Sequence, residues 1–294
     1  MTGELAGRSF SRGDFNRFFW AKYWVLLGAG LDRSQRRPDY ANPAVMAAIA
    51  AGYRALPSPG GSGVPRNIFM LWQQGWDTAP KLVQACAESW RRHNPGWTLH
   101  LLDAETLPAM APSWDAFRLP ANGRPAQSNI ARLALLKAHG GVWADATLFC
   151  TKPLDDWLPA TELFSFSRPR PYRYLDIWFL AATAGSPALA AWHEMVRQYW
   201  SHFRRPHHYY WMEYLFEFLC AEDPTAAHAW EAMPKYSALG PLAIPNIAFE
   251  PATPAIRELI GENVFPAHKL THKWRHAGTL DGTALGALTG WSTL

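Results

Sequence analysis

The sequence predicts an α/β fold, a sheet flanked by helices, behind a helical and aromatic N-terminal extension. Three observations support it. Segments with strand, helix and strand patterning follow one another from Asn67 to Leu101. A second helical segment closes at Gly140-Gly141 and runs directly into a short apolar stretch, Val142-Trp143-Ala144. The chain of 294 residues is 49% hydrophobic, which supplies a buried core and excludes a disordered or fibrous class.

The first 60 or so residues differ from the rest, because Phe15-Asn16-Arg17-Phe18-Phe19-Trp20-Ala21-Lys22-Tyr23-Trp24 is basic and aromatic. As a helix it either lies in a bilayer interface, with Arg17 and Lys22 among the headgroups, or packs on the main domain. Pro57 to Pro65, with Gly60, Gly61 and Gly63 among them, reads as a linker, which sets the extension at 1–60 and the α/β domain at 61–294. Asn67 to Trp72 then reads as a buried strand. Pro80 to His93 reads as a helix, with Pro80 in its first turn and Leu82, Val83, Cys86 and Trp90 recurring on one side. Asn94-Pro95-Gly96 forces a turn, after which Trp97, Leu99 and Leu101 alternate with Thr98 and His100 as in a strand. Two strands joined by a helix imply a parallel crossover.

Ser128 is the expected cap of the next helix, which continues through Ile130, Leu133 and Leu136 to His139. Glycine accepts the left-handed conformation that ends a helix, so Gly140-Gly141 closes it. The strand Val142 to Ala144 delivers Asp145 to its carboxyl end, the edge at which open α/β sheets bind ligands. Ser186-Pro187 starts a further helix, Trp211 to Cys220 is apolar enough for a packed helix, and Pro241 to Pro266 is broken into short elements.

A formal charge of +4 suits a phosphate-bearing ligand or an anionic membrane face. Lys and Arg are scattered rather than run together, which argues against nucleic acid. Cys86, Cys150 and Cys220 are odd in number and contain no CxxC pair, so neither a disulfide framework nor a zinc cluster is expected and a cytoplasmic setting follows. Phe18 to Leu31 is apolar but broken by Lys22 and shorter than the roughly 20 residues of a spanning helix. No cleavable signal peptide is expected. Sixteen tryptophans suit either a core or sugar-stacking surfaces.

Asp145 is either a turn-forming side chain or a carboxylate for a divalent cation that bridges phosphate oxygens. Ser128, Asn129 and Arg132 lie within one helical turn or so of each other and converge on one side. Arg132 can pair with Asp145 or with a phosphate. Asp176, between aromatics in Tyr174-Leu175-Asp176-Ile177-Trp178, either caps a turn or orients a hydroxyl and accepts its proton. Trp178 suits the core better than a sugar, and adjacent His207 and His208 suit packing and surface roles better than a metal site.

Gln127-Ser128-Asn129-Ile130-Ala131-Arg132-Leu133-Ala134-Leu135-Leu136 followed by His139-Gly140-Gly141-Val142-Trp143-Ala144-Asp145-Ala146-Thr147 resembles the capsular polysaccharide synthesis family, which is related to the sugar transferases with a DXD motif. Val64 to Phe69, Leu71-Trp72-Gln73-Gln74-Gly75, Ala79-Pro80 and Ser89-Trp90 are similar to that family's opening strand and helix, and Tyr209 to Leu219 and Lys269 to Lys273 to its later blocks. The resemblance covers about residues 64 to 275 and implies a GT-A fold, a Rossmann-like mixed sheet flanked by helices. It implies a bacterial hexosyltransferase acting from a UDP- or GDP-type nucleotide-sugar on a glycan or lipid-linked glycan of a capsule or lipopolysaccharide; with the basic aromatic stretch, the expected place is the cytoplasm or the cytoplasmic face of the inner membrane as a peripheral protein. Under it, Leu71, Trp72 and Gln73 border the base and ribose. Ser128, Asn129, Arg132 and Thr147 belong to the donor site, and Asp145 stands first in a DXD-like motif.

Asn129 stands where the broader family has Asp, and Thr147 where a full DXD motif has its second carboxylate. If Mn²⁺ or Mg²⁺ binds Asp145, His272 from the tail is the expected further ligand; Lys269 and Lys273 could instead neutralise the diphosphate directly. The two departures also motivate an alternative, a non-catalytic glycan-binding or assembly protein that keeps the fold.

Overall fold

The computed structural model describes residues 8–31, 38–57, 61, 63–111, 123–170 and 172–294. Part of the expected linker, 58–60 and 62, lies outside the described residues. Helices α1 (Arg12–Leu31) and α2 (Pro43–Arg54) precede strand β1 (Asn67–Leu71), helix α3 (Lys81–His93), strand β2 (Thr98–Leu102) and a single turn, α4 (Leu107–Met110). Helix α5 (Arg124–His139) leads into β3 (Gly141–Ala144) and β4 (Leu148–Cys150), and β5 (Leu163–Phe164), β6 (Ser167–Arg170), β7 (Arg173–Leu175) and β8 (Phe179–Ala182) follow. The remainder is largely helical: α6 (Pro187–His202), α7 (Trp211–Glu222), α8 (Pro224–Ala232), α9 (Leu239–Asn246) and α10 (Pro254–Gly261), then β9 (Ala267–Lys269) and α11 (Ala284–Thr289).

The main sheet has the order β2-β1-β3-β8-β5. β1 runs parallel to both β2 and β3, as the crossover pattern requires, whereas β8 is antiparallel to β3 and to β5. It is therefore a mixed α/β sheet flanked by helices, which is the expected fold class. Strand β3 is buried at all four positions, consistent with a central strand covered on both faces.

Two glycines make the turn into β3. Gly141 has φ +110°, and a Cβ there would stand 2.6 Å from the Asn67 carbonyl oxygen; at Gly140, φ +60°, it would meet the Ala184 nitrogen at 2.8 Å. Only glycine fits both the backbone angle and the approach of neighbouring chain. The junction fixes where β3 starts and hence where Asp145 emerges.

Ser128 is not the cap of α5. The helix begins at Arg124 with Pro125 in its first turn and Gly123 as the flanking residue, which leaves Ser128 inside the helix. Proline's preset φ suits the first helical turn, and that start signal lies upstream of the serine. Pro80 likewise sits just outside α3. Ser186 does cap α6, accepting from the Leu189 N–H.

Trp90, Trp143, Trp192 and Trp211 are among the largest fully buried side chains, so these tryptophans serve the core. Trp178 is buried and stacks on Phe166. His207 bonds the Tyr199 hydroxyl through Nδ1 at 2.9 Å and stacks on Phe19, the packing role expected of it. All three cysteines are free. Helix α1 has two characters: Phe15 and Phe19 enter the main core, while Trp20 and Trp24 remain 63% and 67% exposed. Lys22 on the same helix pairs with Glu217 and donates to the Tyr172 carbonyl at 2.6 Å. Among the described residues, no helix is long and apolar enough to cross a membrane.

Candidate active site

The end of β3 turns at once into β4. The Asp145 N–H donates to the Trp178 carbonyl at 2.9 Å and its own carbonyl accepts from Leu148 at 2.8 Å, so Asp145-Ala146-Thr147 forms a tight turn at the sheet's carboxyl edge. Strand β4 pairs antiparallel with β9, setting Leu148 opposite Lys269, and the Leu270 N–H donates to the Thr147 carbonyl at 2.9 Å. A tail segment is thereby fastened against the turn.

Two cations meet the Asp145 carboxylate. Arg132 Nη2 approaches Oδ1 at 3.3 Å, and Lys269 Nζ approaches Oδ2 at 3.3 Å. The Trp143 indole N–H also donates to Oδ1 at 2.9 Å. Lys269 Nζ donates to the Thr147 hydroxyl at 2.6 Å. Arg132 is buried, donates to the Ile177 carbonyl and lies 5.0 Å over the Trp143 ring. Burial lowers its pKa and Asp145 opposes that shift, but arginine's high intrinsic basicity keeps the guanidinium charged. Ser128 supplies its carbonyl and hydroxyl oxygens to Arg132 at 3.4 and 3.5 Å, orienting the guanidinium rather than the helix end. The expected Arg132–Asp145 pair is thus present, with the carboxylate itself 25% exposed.

Trp72 and Trp76 pack with Ala79, Val83 and Ala146, which brings Trp72 beside the same turn. The His272 ring meets Trp72 edge-on at 5.1 Å. Burial, and then the nearby Lys273 and Lys269 charges, lower the His272 pKa. Gln73 and Asn129 are partly exposed, Lys273 is exposed, and the Leu71 side chain is buried. Among the described residues no group of three or more His, Cys, Asp or Glu is arranged to hold a metal ion.

A cavity of about 220 Å³ adjoins this centre, lined by Arg170, Arg173, Asp176, Trp178, Tyr209 and Lys269 among others. Lys269 therefore borders both the turn and the cavity. Asp176 pairs with Arg173 at 3.0 Å. Burial raises the Asp176 pKa and Arg173 opposes it. Glu213, on α7, is also buried; desolvation, reinforced by Asp176, pushes its carboxyl up to about 8, and its Oε2 has no hydrogen-bond partner among the described residues. Sequence reasoning missed Glu213. The available signal was an acid flanked by apolar residues in the first turn of α7, within the Tyr209 to Leu219 block.

The family described as capsular polysaccharide synthesis protein matches residues 58–283. The chain belongs to that family. This capsular polysaccharide synthesis family member is 28% identical over 158 residues to the glycosyltransferase afumC of Aspergillus fumigatus, covering 46% of this chain and 40% of that protein. It is 28% identical over 159 residues to the O-glycosyltransferase braB of Annulohypoxylon truncatum, covering 46% and 38%. Inositol phosphoceramide mannosyltransferase 1 of Schizosaccharomyces pombe is 29% identical over 133 residues, covering 43% of this chain and 40% of that protein. The matches thus span about two fifths of those relatives' lengths. Among solved structures, the PaToxG glycosyltransferase matches with a TM-score of 0.39 at 15% identity, over 60% of this chain and 76% of that one.

Proposed function

We propose that this family member is a GT-A glycosyltransferase that moves a hexose from a UDP- or GDP-type donor to a glycan or lipid-linked glycan of a surface polysaccharide. The observation that carries the reading is a partly exposed carboxylate between two cations at the carboxyl edge of β3, beside a cavity that holds a second carboxylate. The edge suits a nucleotide, because open α/β sheets offer their ligand crevice there. One carboxylate against two fixed cations leaves an excess positive charge for the donor diphosphate. Trp72 and Gln73 border the nucleoside; Arg132 holds Asp145 toward the ribose.

In the transfer, the bond between the sugar's anomeric carbon and the diphosphate oxygen breaks, and a bond from the acceptor oxygen to that carbon forms. The nucleoside diphosphate leaves with the electron pair. Asp176 orients the acceptor hydroxyl and receives its proton, a role suited to a carboxyl whose pKa burial has raised. The aromatic face of α1 supports a peripheral position on the cytoplasmic face of the inner membrane, where a lipid-linked acceptor would be met.

Assaying UDP-, GDP-, CMP- and dTDP-sugars for hydrolysis or transfer tests the reading. Turnover of one donor class, lost in Asp145→Asn by about 100-fold or more, is the expected result. A protein that binds polysaccharide but neither binds nor turns over any nucleotide-sugar would instead be a glycan-binding member.

A further inference from the structure

We infer that Lys269 takes the place of the divalent cation at the donor site, so that the diphosphate is held by the protein's own ammonium group without Mn²⁺ or Mg²⁺. The inference rests on the donor-site reading of Asp145 and specifies how that site carries its positive charge.

A metal at a DXD-like turn needs carboxylate oxygens open to it, commonly one or two carboxylates completed by substrate phosphates and water. The residues at this turn do not fit that need. Oδ1 of Asp145 accepts from the Trp143 indole at 2.9 Å and faces Arg132 at 3.3 Å; Oδ2 faces Lys269 at 3.3 Å. The third position of the motif is Thr147, and its hydroxyl accepts from the same Lys269 at 2.6 Å. The ammonium therefore bridges the first and third positions of Asp145-Ala146-Thr147, the two positions from which a DXD-type turn would reach a cation. His272 lies edge-on against Trp72. A divalent ion entering here would meet two cations against one carboxylate, whereas an anion would be attracted.

The lysine is fixed by more than its own side chain. β9 is paired to β4, and the Leu270 N–H donates to the Thr147 carbonyl, so the backbone that carries Lys269 is stitched to the turn it serves. Its side chain retains 22% exposure and borders the cavity. An ammonium has three donors. Thr147 and Asp145 account for two directions, leaving a third for a phosphate oxygen in a charge-assisted bond.

The test is calorimetric titration of the full chain with UDP and with GDP, in EDTA and in Mn²⁺, on wild type, Lys269→Met and Lys269→Arg. The expected result is that whichever nucleotide binds does so with a Kd equal within about twofold in the two conditions, that Lys269→Met weakens it about tenfold or more in both, and that Lys269→Arg recovers most of it. Ligand-free thermal melts check that the variants fold, and if Lys269→Met does not, the wild-type comparison decides. Binding that needs Mn²⁺, or Lys269→Met binding as wild type does, overturns the inference while leaving the donor reading intact. Failure of both nucleotides in both conditions overturns the donor reading and this inference with it.

Discussion

Asp145 and Asp176 are both paired with an arginine, yet their surroundings are opposite. Asp145 is 25% exposed, meets two cations and an indole N–H, and belongs to a turn tied by backbone bonds on both sides. Asp176 is 8% exposed at its side chain, has one paired cation, Arg173, and shares its neighbourhood with the buried carboxyl of Glu213. Solvent access and surplus positive charge suit the first centre to receiving an anionic group. Desolvation suits the second to holding a proton. A charge that is exchanged with ligand must be reachable, whereas a carboxyl whose pKa is to be raised must be kept from water.

The same amide substitution in both centres tests that contrast most severely. Asp176→Asn strands the buried Arg173 charge and is expected to cost about 3 kcal/mol of stability, besides lowering transfer by about 100-fold or more. Asp145→Asn is expected to lower turnover by about 100-fold or more while changing stability by about 1 kcal/mol, since the carboxylate is partly open to water and the buried Arg132 keeps its bonds to the Ser128 and Ile177 carbonyls. Denaturant melts beside initial rates separate the two, and equal stability losses would remove the distinction.

A smaller effect comes from Glu213. Its folded pKa, about 8, lies above its ordinary 4.5, so the native state holds a proton that the unfolded chain has already released between those values. The stability this group contributes is complete below pH 4.5, declines as pH rises from there, and is gone above about 8. Asp176, raised in the same direction, adds to the fall. Glu213→Gln should flatten the curve, shifting the melting temperature across that range by about a few degrees less than in wild type. The same dependence of melting temperature on pH in Glu213→Gln and in wild type would contradict the assignment. The smallest expected change is in Trp20→Ser with Trp24→Ser: unchanged melting, and binding to anionic vesicles reduced about tenfold in a flotation assay. Equal vesicle binding would remove the membrane role from α1.

The main strands and the Asp145 turn were readable because their signals are local. Alternation over Trp97 to Leu101 and the apolar side of α3 announce the crossover, and Gly140-Gly141 marks where β3 must begin. Start signals competed at α5, where Pro125 outranked Ser128. The joining of Lys269 to Asp145 has no local signature: β9 is three residues long and pairs with a strand over a hundred residues earlier, so only family resemblance brought the tail to the site. Glu213 was hidden for the same reason. Its surrounding helix reads as core, and the raised pKa arises from burial and then Asp176, neither of which is visible in α7 alone.

The pairing of β4 with β9 makes the full charge pattern of the Asp145 turn a late event in the life of the chain. Until position 269 has been made, the Asp145 turn has Arg132 but lacks the second of its two cations. The same arrangement separates two properties for engineering. The short tail strand can be exchanged to alter the cation set against the turn, while the glycine junction and central sheet that aim Asp145 stay untouched.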